Sequence, residues 1–168
     1  MKTFILEKAI RILKARKEIE KELGIKITNR GKEITIESTP EKEYIASQVV
    51  EALNIGFPLN YALSIKTEDN LLEIINIKDY TISKDLERIR GRIIGRKGVT
   101  LKTLNELTEC YFELKDNQLG IIGNPEYIKI AQEAVISLIQ GTKTANVYAF
   151  LEKHRPEKVM DLGLKEKE

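Results

Sequence analysis

The stretch 92-RIIGRKGVTLKTL-104 decides how the rest of the chain is read. Gly95 and Gly98 bracket two cations, Arg96 and Lys97. Ile93 and Ile94 run into the first glycine, and Leu101, Leu104 and Leu107 leave the second at helical spacing. Apolar helices on both sides of a bare, charged turn predict a broken helix pair. Glycine at each end removes the Cβ that would hold another backbone at a distance. The second helix, with Thr100 as its expected cap, turns unpaired N–H groups and a positive dipole end toward the break, which favours phosphate.

Outward from this turn the pattern is regular. The β-branched run 71–80 predicts a strand, and Ser83 is the expected cap of the helix carrying Leu86, Ile89 and Ile93. Downstream, 111–115 and 118–123 read as two strands joined at Asp116-Asn117. Asn124-Pro125 opens a helix whose apolar face runs from Tyr127 to Ile139 and stops at Gly141. The order is β-α-turn-α-β-β-α.

The same unit is used twice. A shift of 85 residues lays Pro40 on Pro125, Ile45 on Ile130, Ala46 on Ala131, Val50 on Val135, Leu53 on Leu138 and Gly56 on Gly141. The first copy keeps the hairpin (strands 25–28 and 33–37) and the closing helix from Pro40 to Gly56. Under this shift Gly95 and Gly98 fall on Ile10 and Leu13, so the glycine turn is absent and 4–23 reads as one amphipathic helix. The counterpart of strand 71–80 falls before Met1. Either the first copy lacks its opening strand, or the chain as given begins downstream of it. Residues 57–70 predict a short helix and a polar loop, 142–155 a last helix, and 162–168 a frayed end.

Charge is directed rather than general. The net formal charge is +2, but residues 84–102 hold seven cations against Asp85 and Glu87, so this window alone carries +5. The 32% of charged residues fits a well-solvated, heat-stable surface. One cysteine, Cys110, excludes an internal disulfide and points to a reducing, cytoplasmic setting. The N-terminal 24 residues carry charges too often for a signal peptide, and no segment is long enough to span a bilayer.

Element order and turn together resemble the K-homology (KH) domain, whose signature is two helices joined by a G-x-x-G loop. The resemblance implies an α+β fold of two fused type I KH-like units. Each is a small antiparallel sheet on helices, the first degenerate, with a C-terminal helix added. The divisions expected are 1–67, 68–141 and 142–168. It further implies that about four unpaired nucleotides lie in an apolar groove beside the loop. With "GRIIGRKG", "LNELTECYFEL", "IIGNPEYIKIAQEAV" and "VYAFLEKHR", the chain is similar to the small-subunit ribosome assembly factors of the Partner of Nob family. That family implies a non-catalytic adaptor without cofactor or metal. Such an adaptor holds the 3′ region of small-subunit ribosomal RNA, beside the trimming endonuclease or another assembly or translation factor. By position, the RNA-contacting set is Arg90, Arg92, Ile93, Ile94, Gly95, Arg96, Lys97, Gly98, Thr100 and Lys102.

Other chemistries find little support. One histidine (His154) and one cysteine cannot build a His/Cys zinc cluster, and "GRKGVT" lacks the GK[ST] order of a nucleotide-binding loop. Tyr148 and Phe150 are expected to pack the last helix, and Cys110 to be a small buried hydrophobe. The competing function is a protein-interaction scaffold that offers helix 4–23 and helix 142–155 to a partner, with little or no RNA binding.

Overall fold

Ile27, Ile34 and Ile36 alternate with polar residues, and alternation of period two gives the first sheet one buried face; Leu119 and Ile121 share one face of the second sheet, whose strand Gln118–Gly123 is apolar on both faces. In the computed structural model, which describes residues 1–155, these residues are fully buried. The first unit consists of β1 (Lys2–Ile5), α1 (Ala9–Lys14), α2 (Arg16–Leu23), β2 (Lys26–Arg30), β3 (Glu33–Glu37) and α3 (Pro40–Ile55). Helix α4 (Leu59–Thr67) leads to the second unit: β4 (Leu71–Asn76), a 3-10 turn (Ile77–Tyr80), α5 (Leu86–Ile94), α6 (Val99–Thr108), β5 (Tyr111–Lys115), β6 (Gln118–Gly123) and α7 (Pro125–Ile139). Helix α8 (Thr144–Lys153) packs on α6 and α7 through Val147 and Leu151, with Tyr148 and Phe150 at its margin. The expected fraying of 162–168 lies outside the described residues.

Each sheet has three antiparallel strands, in the orders β1-β3-β2 and β4-β6-β5. The first unit therefore does have its opening strand, contrary to the gap-free comparison. Ile36 pairs with Lys2 and Ile121 with Glu73, so β3 and β6 differ by 85 residues while β1 and β4 differ by only 71. Fourteen residues are missing from the first unit after β1, and a comparison without gaps places the strand too early. The helix expected over 4–23 is likewise two helices, broken at Ala15 (φ −94°, ψ 2°). Its apolar positions Ile12, Ile19 and Leu23 are buried in the first core, and Val147 and Leu151 of α8 in the second. These side chains are thus used by the fold itself, while Ile10 of α1 stays 66% exposed.

The two units share a wall. Inward residues of the second sheet (Leu119, Ile121, Phe112, Leu114) cover α5–α7, while Ile122, Leu72 and Tyr111 on its other face join the first core. Phe57 and Ile55 press on Gly120, where a Cβ would lie 2.7 Å from the Phe57 ring. Tyr61 stacks on Tyr111 with centroids 3.9 Å apart, and Lys115 donates to the Asn54 carbonyl at 3.0 Å. Charge contributes little to this architecture. The salt bridges of the described residues are three isolated pairs (Met1–Glu43, Arg16–Glu20 and Arg88–Asp85), not the network that a charge-rich, heat-stable surface would use.

Candidate nucleic-acid interface

Helix α5 starts later than the sequence suggests. Asp85, not Ser83, is the cap: its carboxylate accepts the Arg88 N–H at 3.2 Å, while Ser83 Oγ accepts the Asp85 N–H. Ile89 and Ile93, one turn apart, enter the core. At its other end the Gly95 N–H bonds the Gly91 carbonyl at 2.9 Å, and the chain then leaves the helix at Gly95 with φ +75°.

The two loop glycines are needed for different reasons. A Cβ on Gly95 would lie 2.2 Å from Thr100 Oγ1 and 2.8 Å from the Thr100 N. Gly95 is therefore fixed by packing inside the protein. A Cβ on Gly98 would meet nothing within 4 Å, yet Gly98 has φ +76°. This glycine is required by backbone conformation, and it leaves an open surface at the start of α6. Between them Lys97 takes φ +54°, a left-handed conformation that costs a residue with a Cβ roughly 1–2 kcal/mol. The cost aims its side chain outward: Arg96 and Lys97 are both exposed, and among the described residues neither they nor Lys102 form a salt bridge.

The remaining expected contact residues separate into two groups. Ile94 and Lys102 are exposed beside the loop. Ile93 is fully buried and Thr100 is 7% exposed, so neither side chain is presented at the surface. Thr100 is also not the helix cap; that position is Gly98, and Thr100 fills the space under Gly95. Arg90 donates to Asn117 Oδ1 at 2.6 Å, tying α5 to the β5–β6 turn. Arg92 donates to the Leu138 carbonyl at 2.9 Å and the Thr142 carbonyl at 2.5 Å, clamping α5 to the end of α7. Their charge remains near the site, but their geometry is set by the fold.

Two residues escaped the sequence reading. Val99 is 56% exposed at the first position of α6, an apolar side chain that the core does not use. Gly91 is exposed within α5, and a Cβ there would meet nothing within 4 Å. Its φ lies outside the positive range, so the backbone does not require glycine. Glycine inside a helix costs about 1 kcal/mol relative to alanine, and no contact within the protein accounts for it here. The signal was in the sequence: Gly91 lies one helical turn before Gly95.

Cys110 is the small buried hydrophobe that the sequence suggests. Burial pushes the Cys110 thiol up to about 11, the value of an inert core residue. His154 is exposed, with Nδ1 2.8 Å from the Phe150 carbonyl and its ring against Phe150. Among the described residues, no group of three or more His, Cys, Asp or Glu side chains is placed to hold a metal ion, and no helix is long and apolar enough to cross a membrane.

A β-α-α-β-β-α unit with a basic, glycine-bounded turn between its adjacent helices defines a type I KH domain, and the chain carries this topology twice. Residues 71–156 match the model of the second KH domain of PNO1, described as a eukaryotic type KH domain (type I). The chain belongs to this PNO1/Dim2 family of KH proteins. It is 34% identical over 147 residues to the KH domain-containing protein MJ0443 of Methanocaldococcus jannaschii, covering 83% of this chain and 65% of that protein. It is 33% identical over 122 residues to the RNA-binding protein pno1 of Dictyostelium discoideum, covering 70% of this chain and 51% of that one. The chain thus spans about half to two thirds of the length of these curated relatives. Among solved structures it resembles Dim2p of Pyrococcus horikoshii OT3 (TM-score 0.82, 34% identity, 90% of this chain and 98% of that one). It also resembles a chain of the a/eIF2alpha-aDim2p-rRNA complex of the same organism (TM-score 0.82, 33% identity, 91% and 92%).

Proposed function

We propose that this protein is a single-stranded RNA-binding adaptor in small-subunit ribosomal RNA processing, working through the Gly95–Gly98 loop of its second unit. The observation that carries the reading is the open backbone at Gly98, flanked by the exposed, unpaired cations Arg96 and Lys97. A phosphodiester settles against the start of α6, countered by the two side chains, while bases rest on Ile94 and Val99. Gly91 lets the strand pass close to α5. Arg90, Arg92, Ile93 and Thr100 act one step back, by holding the loop and supplying field. The ribosomal RNA in the complex of the Pyrococcus relative, and the pre-rRNA-processing names of the fungal PNO1 relatives, support ribosomal RNA as ligand; in this reading the segment bound is the 3′ region of the small-subunit RNA. A translation factor of the a/eIF2alpha type or the trimming endonuclease is the protein partner in this reading, and the cytoplasm its location.

Replacing Arg96 and Lys97 together by Asp tests the assignment. Both side chains are exposed, so thermal unfolding should be unchanged. RNA affinity in a mobility-shift assay should fall by on the order of 3 kcal/mol, about a hundredfold, from lost phosphate contacts and new repulsion. The wild-type affinity should also fall steeply with salt. Equal binding by wild type and variant rejects the loop as the site.

A further inference from the structure

We propose a second RNA subsite, outside the glycine-loop groove, in a trough between the segment before α5 and the end of α7. It rests on the RNA-binding reading above and extends the strand's path beyond the four nucleotides that such a groove accepts. Two adjoining clefts of about 490 and 520 Å³ share Thr81, Ile82 and Gln140 and form one continuous depression. Arg88 and Arg92 line its inner part, and Tyr80 its outer part.

Four observations assign RNA to it. First, the segment is longer than its counterpart: residues 77–85 join β4 to α5, where only residues 6–8 join β1 to α1, so the KH-like framework does not require its length. Second, Tyr80 is 39% exposed and Ile82 completely exposed, a flat aromatic ring and an aliphatic side chain beside hydrogen-bonding groups, the combination that holds an unstacked base. Third, Gln140 offers an amide donor and acceptor, and no hydrogen bond engages that amide among the described residues. Fourth, the trough continues the basic surface of the loop. Arg88 and Arg92 are one helical turn apart, about 6 Å along α5, and Arg96 follows in the loop. Arg92 is fixed by the carbonyls of α7, whereas the Arg88 side chain is 70% exposed and held only by a 3.9 Å pair with Asp85. Of the lining residues Asp79 is the acid, opposed by Lys78, Arg88 and Arg92, and Asp85 and Glu87 flank them with Lys84. That balance disfavours an apolar protein face, and together with the aromatic ring of Tyr80 it favours a polyanion that carries bases.

The experiment compares two fluorescein-labelled single-stranded RNAs of random sequence, about 5 and about 12 nucleotides long, by anisotropy against the full chain; the shorter fills only a groove of about four nucleotides. The variants are Ile82→Asp/Arg88→Glu and, as reference, Arg96→Asp/Lys97→Asp. Ile82 and Arg88 are exposed, and circular dichroism confirms that each variant folds. The trough variant should bind the long RNA about tenfold more weakly, with a salt slope reduced by about one, and the short RNA as the wild type does. Unchanged affinity for both RNAs overturns the subsite and leaves the trough to a protein partner. Equal weakening on both overturns it too, because the effect is then general electrostatics. The reference variant reports separately on the loop: if it still binds the short RNA, the loop reading fails by a different signature.

Discussion

The two units contain the same strands in the same order and the same antiparallel pairing, yet they differ at two places that decide function. Where α5 and α6 are separated by a glycine-bounded turn with outward cations, α1 and α2 are separated by Ala15 alone, in the bridge region with a negative φ that needs no glycine. The outer faces of the sheets differ just as sharply. The register matches Thr3–Thr35–Thr28 of the first sheet to Ile74–Gly120–Glu113 of the second, and Glu37–Lys26 to Ile122–Tyr111. The open face carries threonine and charge with the exposed Ile5 at its edge, while the face covered by Phe57 and Tyr61 is mostly apolar, with a glycine where a ring presses and Glu113 beside it. One framework thus yields a unit with a free helix turn and a covered sheet, and another with neither. The turn is where a ligand fits, and the sheet is where the units join.

The comparison breaks most severely at Gly95. Gly95→Ala combines a positive φ with a Cβ at 2.2 Å from Thr100 Oγ1, against the core-facing side of the turn. Strain of both kinds should cost about 3 kcal/mol, read as a lower urea midpoint with an unchanged slope. In the first unit Ala15→Gly, at a position with φ −94°, should change stability by less than about 1 kcal/mol. Equal effects at the two sites would mean that the glycine turn is not what distinguishes the units.

Much of this was legible in the sequence, and the errors have identifiable causes. The glycine loop, both hairpins and the closing helices of each unit were readable because glycine, Asn124-Pro125 and alternating isoleucines act locally. The opening strand β1 was missed because internal repetition was sought without gaps, and fourteen residues had been lost between β1 and β2. The break at Ala15 left no trace, since Ile12, Ile19 and Leu23 keep helical spacing across it. Ile93 was assigned to the groove alongside Ile94, but adjacent helical residues point about 100° apart. Its four-residue spacing from Ile89 already placed it in the core. Contacts between the units depend on residues far apart in the chain, such as Phe57 and Gly120, and no local pattern encodes them.

Gly91 sharpens the comparison with a smaller effect of opposite sign on two properties. Gly91→Ala should stabilise the protein by about 1 kcal/mol, because helix propensity improves and the Cβ meets nothing. The same change should weaken RNA binding severalfold, because the added methyl stands where the strand passes. Stabilisation without loss of affinity would remove Gly91 from the interface while leaving the loop assignment intact.

The smallest effect concerns Glu113, on the covered sheet face beside Gly56 and Arg11. Burial raises its carboxyl above the usual value near 4.5, and the Arg11 guanidinium opposes that rise only in part. A raised folded-state value means that the fold disfavours the charged form. The contribution of this group to stability is therefore greatest below about 4.5 and is lost as pH rises through the folded value. Glu113→Gln should accordingly raise Tm at pH 7, with the gain shrinking toward zero as the pH falls to about 4, in thermal melts across that range. Thr28, at the matching position of the open sheet, is the control: Thr28→Glu leaves its carboxylate in water, so any change in Tm should not follow this pH course. If both variants titrate alike, the covered face is not drier than the open one, and the wall between the two units is looser than its packing implies.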